Sequence, residues 1–182
     1  MHLYKLAIGI ILGVLLSVAS GSVEAKELKI QGSFYGAFSP IDSDGNNDGL
    51  KASLNLVTGR GNLGRFSGHA QSEVLPPLPA PVTCPAGTVE FPYLGIAGIT
   101  TFINKGDQLF SFKGHPGTLC ANFATGTFTF QITETYYGGT GQFTGATGSV
   151  LTTGSGHYSF CDPAEQCFGS QTGTFTGTII LP

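Results

Sequence analysis

Tyr136-Tyr137-Gly138-Gly139-Thr140-Gly141-Gln142-Phe143-Thr144-Gly145-Ala146-Thr147-Gly148-Ser149 reads YYGGTGQFTGATGS, with five glycines in fourteen residues. Two structures use glycine this densely: a loop that cradles phosphate, and a turn between β-strands. A phosphate loop needs backbone N–H groups at a helix N-terminus, and a P-loop adds a Lys and a hydroxyl at fixed spacing. Gly139, Gly141 and Gly145 do not make G-x-G-x-x-G, and the chain continues without a Gly-Lys-Ser/Thr. It runs instead into Ser149-Val150-Leu151-Thr152, a β-forming segment. The glycines therefore read as turn and barrel-corner devices, and the phosphate reading is rejected.

Working outward, a period of two dominates the chain. Leu28, Ile30, Gly32, Phe34, Gly36 and Phe38 alternate with polar or small neighbours. So do Leu50, Ala52, Leu54 and Leu56; Phe66, Gly68, Ala70, Ser72 and Val74; Phe128, Phe130, Ile132, Glu134 and Tyr136; and Phe175, Gly177, Ile179 and Leu181. Such alternation, rich in β-branched and aromatic residues, marks half-buried strands. Turn signals separate the runs at 42–49, at 58–62 and at Asn104-Lys105-Gly106-Asp107. The proline-rich stretch from Pro76 to Pro85 cannot pair in a central strand, because proline lacks an N–H. It reads as an extended surface connector pinned by Cys84. Beyond the N-terminal segment there is no long helical stripe. Eight or nine antiparallel strands in one all-β domain suit a closed barrel or a sandwich.

The N-terminus reads as a secretory signal. Lys5 precedes an apolar run from Leu6 to Val18, and Val23-Glu24-Ala25 offers a cleavage site, with Ala19 and Gly21 as alternatives. The run is shorter than the roughly 20 residues of a transmembrane helix. Residues 1–25 are thus expected to be signal peptide and 26–182 the barrel domain, with no membrane span after cleavage. Cleavage removes one base (Lys5) and one acid (Glu24), so the net charge stays at −3. No basic stripe points to a nucleic-acid partner. Charged residues are only 10% of the chain, so Thr, Ser, Gln and Gly must supply much of the surface. The expected location is secreted or otherwise extracytoplasmic.

Cys84, Cys120, Cys161 and Cys167 form an even set, as expected for an exported, oxidised chain. Four cysteines allow three pairings. Cys161–Cys167 would clip a short turn, leaving Cys84–Cys120 as the long-range bond. A zinc site finds no support, because C-x-x-C spacing and a nearby His are missing.

Gly138-Gly139-Thr140-Gly141-Gln142-Phe143-Thr144-Gly145-Ala146-Thr147-Gly148 resembles the GGTG-x-F-x-GA-x-G segment of dirigent proteins and of barrel relatives of allene oxide cyclase, including uncharacterised secreted bacterial proteins. The resemblance covers about a dozen residues directly. It implies an eight-stranded antiparallel calycin-like β-barrel with a central apolar cavity. In the plant families that cavity holds a reactive precursor and steers its cyclisation or coupling. The motif itself carries no catalytic residue over.

An eight-stranded barrel is just wide enough to be filled by side chains or to hold one small ligand. Glu134 is the candidate catalytic or ligand-orienting residue, because it shares a strand face with Phe128, Phe130, Ile132 and Tyr136. If that face points inward, burial raises the carboxyl's pKa. The competing reading sets Glu134 at a strand end, in solvent; Glu73 and Glu90 carry the same ambiguity. Phe128, Phe130 and Tyr136 are the candidate ligand-binding residues. Asp44, Asn46 and Asp48 match the first ligand positions of a calcium loop, but Asn55 stands where Glu closes such a loop; an Asx-rich turn is the commoner explanation, with calcium kept as the alternative. No resident cofactor or metal is expected. His69, His115 and His157 are isolated, and the G-x-S-x-G elbow is missing. The leading expectation is a barrel that binds a small apolar or amphipathic molecule. An isomerase- or cyclase-like enzyme using the same cavity, and a packed structural barrel, are the alternatives.

Overall fold

In a computed structural model of the chain, the described residues are 24–41, 52–77, 83–162 and 166–182; the side chains of 112–115, 160–162 and 166 are not described. They form eight strands: β1 (Lys26–Pro40), β2 (Ser53–Gly61), β3 (Gly64–Val74), β4 (Val89–Phe102), β5 (Gln108–Asn122), β6 (Thr127–Gly139), β7 (Thr147–Asp162) and β8 (Gln166–Leu181). Each strand pairs antiparallel with its successor, and β8 returns to β1, closing the barrel. The all-β expectation and the closed eight-stranded barrel are observed. The expected signal peptide, residues 1–25, lies outside the described residues apart from residues 24 and 25. So do the calcium candidates Asp44, Asn46 and Asp48, and part of the proline-rich connector.

Alternation decides which face points in. Ile30, Phe34, Phe66, Phe128, Phe130, Ile132, Tyr136 and Ile179 are all buried and all contribute to one core. Glycine makes room for the rings among them. A Cβ added at Gly154 would lie 2.6 Å from the Phe130 ring, at Gly156 2.3 Å from Phe128, and at Gly173 2.6 Å from Phe34. Gly32, Gly59 and Gly169 meet Phe175, Phe66 and Phe38 in the same way. Each ring lies over a glycine on a neighbouring strand, a pairing that holds register while letting the sheet coil. Strand β2 departs from the pattern suggested by its leucines. Asn55 is buried at 7% exposure, whereas Leu56 is 46% exposed. The inward set on this strand is Asn55, Val57 and Gly59, opposite Phe38, Gly36 and Phe34.

The quoted glycine stretch is a turn that closes one end of the barrel. After β6 a single 3₁₀ turn, Gly141–Phe143, leads into β7. Gly141 has φ +58°, and a Cβ there would collide with the Asp107 carboxylate. Phe143 and Ala146 have no exposed surface, and the Phe143 ring lies 5.0 Å from that of Phe102. Phe143 thus plugs the end where β2–β3, β4–β5 and β6–β7 are joined.

The outer wall carries the disulfide. Cys84 is bonded to Cys120 on β5, with Cα atoms 5.6 Å apart. Cys167 is also disulfide-bonded, and Cys161 stands opposite it in the β7–β8 register. Glu90 sits beside the first bond, paired in register with Cys120. Its carboxylate accepts the backbone N–H groups of Thr83 and Cys84 and the Thr83 hydroxyl. Glu90 is therefore a strap anchor on the outside of the barrel. Among the described residues, no helix is long and apolar enough to cross a membrane.

Candidate functional site

The lumen retains a cavity of about 130 Å³ to which all eight strands contribute residues. Its apolar wall comes from Phe34, Phe66, Phe102, Phe130, Ile132, Val150 and Phe175. Two polar groups interrupt that wall. On β6 and β7, the Tyr136 hydroxyl donates to Glu134 Oε2 at 3.1 Å, and the Thr152 hydroxyl donates to Oε1 at 3.3 Å. Across the lumen, Gln171 Nε2 donates to Asn55 Oδ1 at 3.1 Å, and Asn55 Nδ2 donates to Ser72 Oγ at 2.8 Å. The Tyr93 hydroxyl donates to the same Ser72 oxygen at 2.9 Å.

Strand alternation brings Glu134 inward, two residues from buried Ile132 and two from buried Tyr136. The β5–β6 ladder is irregular at this level. It pairs Ser111 with Tyr136 and then Gly117 with Ile132, so β5 is longer than β6 across the stretch opposite Glu134. The surface that Glu134 retains belongs to the cavity wall rather than to the outside. Burial pushes its carboxyl above the ordinary carboxylate range, and the Tyr136 and Thr152 hydroxyls offset part of that rise. Burial also raises Tyr136 far above the usual phenol range, with the Glu134 charge adding to the rise. Tyr93 rises for the same two reasons, while hydrogen bonds with Ser72 and Asn55 pull it back. Desolvation comes first in each case.

The structure brings Glu134, Phe130 and Tyr136 together around the cavity. Phe128 lies outside its lining, packed against Phe38 and Tyr158 with centroids at 5.5 and 4.8 Å. Tyr158 is itself pushed up to about 12, mainly by burial. Of the other carboxylates, Glu73 is buried on β3, and Glu90 is occupied by the strap. His69 and His157 are exposed on the outer wall. Among the described residues no three His, Cys, Asp or Glu side chains converge as a metal site. A shallower depression on the outer wall, bordered by Gln31, Asn62, Leu151, Thr153 and Thr174, carries no titratable group.

Sequence reasoning missed Asn55, Ser72, Tyr93, Thr152 and Gln171. These five sit on five different strands, so no local spacing links them. The one available signal was Gln171, an amide in phase with Phe175, Gly177 and Ile179.

No protein-family model and no curated protein matches the sequence. Among solved structures, the barrel is similar to that of a pterocarpan synthase dirigent protein: 11% sequence identity, 88% of each chain covered, TM-score 0.42.

Proposed function

We propose that this barrel binds one small, mainly apolar molecule in its lumen and orients it by a polar group directed at Glu134 and Tyr136. The observation that carries the reading is the unfilled cavity of about 130 Å³, walled by phenylalanine and bearing one carboxyl. A fully packed structural barrel would have no such space. Apolar cavities of roughly 150 Å³ accept a benzene-sized guest, so the ligand is about one ring in size. Rings and aliphatic groups supply its burial, and the few convergent polar groups fix its orientation.

The site also supports a second reading, an isomerase- or cyclase-type activity in the same lumen. One observation favours it: a carboxyl that burial pushes above the ordinary carboxylate range, with a tyrosine hydroxyl in contact, is the arrangement from which a general acid is built. The protein is proposed to work outside the cytoplasm, supported by the disulfides and the N-terminal apolar segment.

Native mass spectrometry of protein taken from its own source tests the reading. Wild type is expected to carry a small-molecule adduct, and Ala70→Leu, which fills the cavity from β3, is expected to lose it. A bare wild-type protein that also takes up no single-ring compound rejects the reading. Conversion of the bound compound on incubation would move the balance from binding to catalysis.

A further inference from the structure

Arg60 on β2 and Arg65 on β3 stand directly opposite each other, one pair back from the Gly61–Gly64 closure of their hairpin. Both are exposed on the outer wall. Opposed residues of an antiparallel pair have Cβ atoms about 4.5–5.5 Å apart, and like charges placed there are destabilising. The turn beside them is tied to β1, so the hairpin is held in place. The Asn62 N–H donates to the Gln31 carbonyl at 3.0 Å, Asn62 Nδ2 donates to the Lys29 carbonyl at 2.8 Å, and Asn62 Oδ1 accepts the Gln31 N–H at 3.0 Å. Among the described residues neither arginine forms an ion pair. Asp42, Asp44, Asp48, Asp162 and Glu165 fall in or beside the β1–β2 and β7–β8 connections, which the strand order sets at the barrel end opposite the β2–β3 turn. Lys26, Lys29 and Lys105 join the two arginines at the plugged end, so five of the eight Lys and Arg residues gather at one end of a chain of net charge −3. Glu24, Glu27 and Asp107 offset only part of that excess. Hydroxyls surround the pair: Ser33 faces Arg60 across β1–β2, and Ser67 follows Arg65 by two residues on the same face.

We infer that the outer face of the β2–β3 hairpin is an oxyanion site, in which Arg60 and Arg65 hold a phosphate or sulfate group between them. A guanidinium presents its N–H donors as a fork that fits two oxygens of such a group. Two forks side by side match an anion of double charge, and Ser33 and Ser67 supply further donors at its rim. The bound dianion turns a like-charge repulsion into two charge-assisted contacts, so the ligand stabilises the hairpin that binds it. A soluble phosphate or sulfate and the phosphate of a lipid headgroup present the same oxygens to this pair. The site lies on the outer wall, apart from the lumen, and stands whether or not the cavity takes a ligand.

NMR titration of the full chain with sodium phosphate, against sodium chloride at matched ionic strength, tests the site. Phosphate is expected to give saturating shifts at the Arg60, Arg65, Ser33 and Ser67 amides and at the two arginine Nε–H groups, whereas chloride is not. Arg60→Gln should weaken the phosphate response at least about tenfold, the scale of one lost charge-assisted contact. In phosphate-free, low-salt buffer the same variant should melt about 1–3 °C above wild type, because the like-charge pair is gone. Phosphate shifts no larger than those of chloride, an Arg60→Gln response equal to wild type, or a variant that melts lower in that buffer would overturn the site. Should the variant fail to fold, the wild-type comparison of the two anions decides alone. Sedimentation with phosphatidylcholine vesicles, with and without phosphatidic acid, then separates the sources. Uptake by the phosphatidic acid vesicles alone assigns a lipid headgroup, and saturating phosphate shifts without uptake assign a soluble anion.

Discussion

At the scale of single residues, the fold depends on small side chains opposite large ones. A Cβ at Gly154 would lie 2.6 Å from the Phe130 ring and 2.5 Å from the Thr172 carbonyl. Gly154→Ala should therefore destabilise the barrel by about 1–3 kcal/mol, the usual cost of overpacking, in a denaturant melt. An unchanged midpoint would show that the ring can move aside. Glu134 has a different signature. Its folded pKa is raised, so the folded state holds the proton more tightly than the unfolded chain does. This contribution to stability is full below the unfolded carboxylate range and is lost as pH rises through the folded value. Glu134→Gln keeps the shape and removes the ionisation, so it should raise the melting midpoint at neutral pH and flatten the profile above pH ~5. A variant less stable than wild type at neutral pH would mean that the ionised carboxylate is better satisfied than this geometry implies. The shared phase of Phe128, Phe130, Ile132, Glu134 and Tyr136 on β6 was legible from alternation, whereas the choice between an inward Glu134 and a solvent-facing strand end was not. The burial of Asn55 was not, because neighbouring leucines carry the stronger hydrophobic signal and tertiary hydrogen bonds to Ser72 and Gln171 decide the matter.

At the scale of elements, two devices hold the wall and its ends. The first is the turn from β6 to β7, whose glycines announced a corner. Its plug, Phe143, was hidden because a lone aromatic in a turn carries no periodicity. The second is the strap before β4. The Cys84–Cys120 bond closes a loop of 36 residues, and the chain-entropy model gives it about 4 kcal/mol. The paired Cys84→Ser, Cys120→Ser variant should lose about that much in equilibrium denaturation, with Cys167 still oxidised. A loss below about 1 kcal/mol would mean the unfolded chain is already restricted in this region. Glu90 reinforces the same strap. Backbone N–H donation from Thr83 lowers its pKa, so its contribution is present above the ordinary carboxylate range and fades as pH falls through the lowered value. Its pairing with the strap was not legible, because sequence places the residue on a strand but says nothing of what crosses over it.

At the scale of the whole molecule, eight meandering strands enclose more space than their side chains fill. Closure leaves no free sheet edge, which lets a chain so poor in charge stay folded without edge-to-edge pairing. The strand count and the antiparallel order were legible from alternation and turns. The extent of filling was not, because it depends on summed volumes of residues from every strand and on the irregular β5–β6 ladder beside Glu134. The unfilled remainder is the central claim, and methyl-resolved NMR of the intact chain with benzyl alcohol, a neutral single-ring compound, tests it most directly. Shifts at Ile132 and Val150, which line the cavity, with none at exposed Leu151 and Ile180, are the expected result. Shifts confined to the outer wall, or none at any methyl, would contradict it.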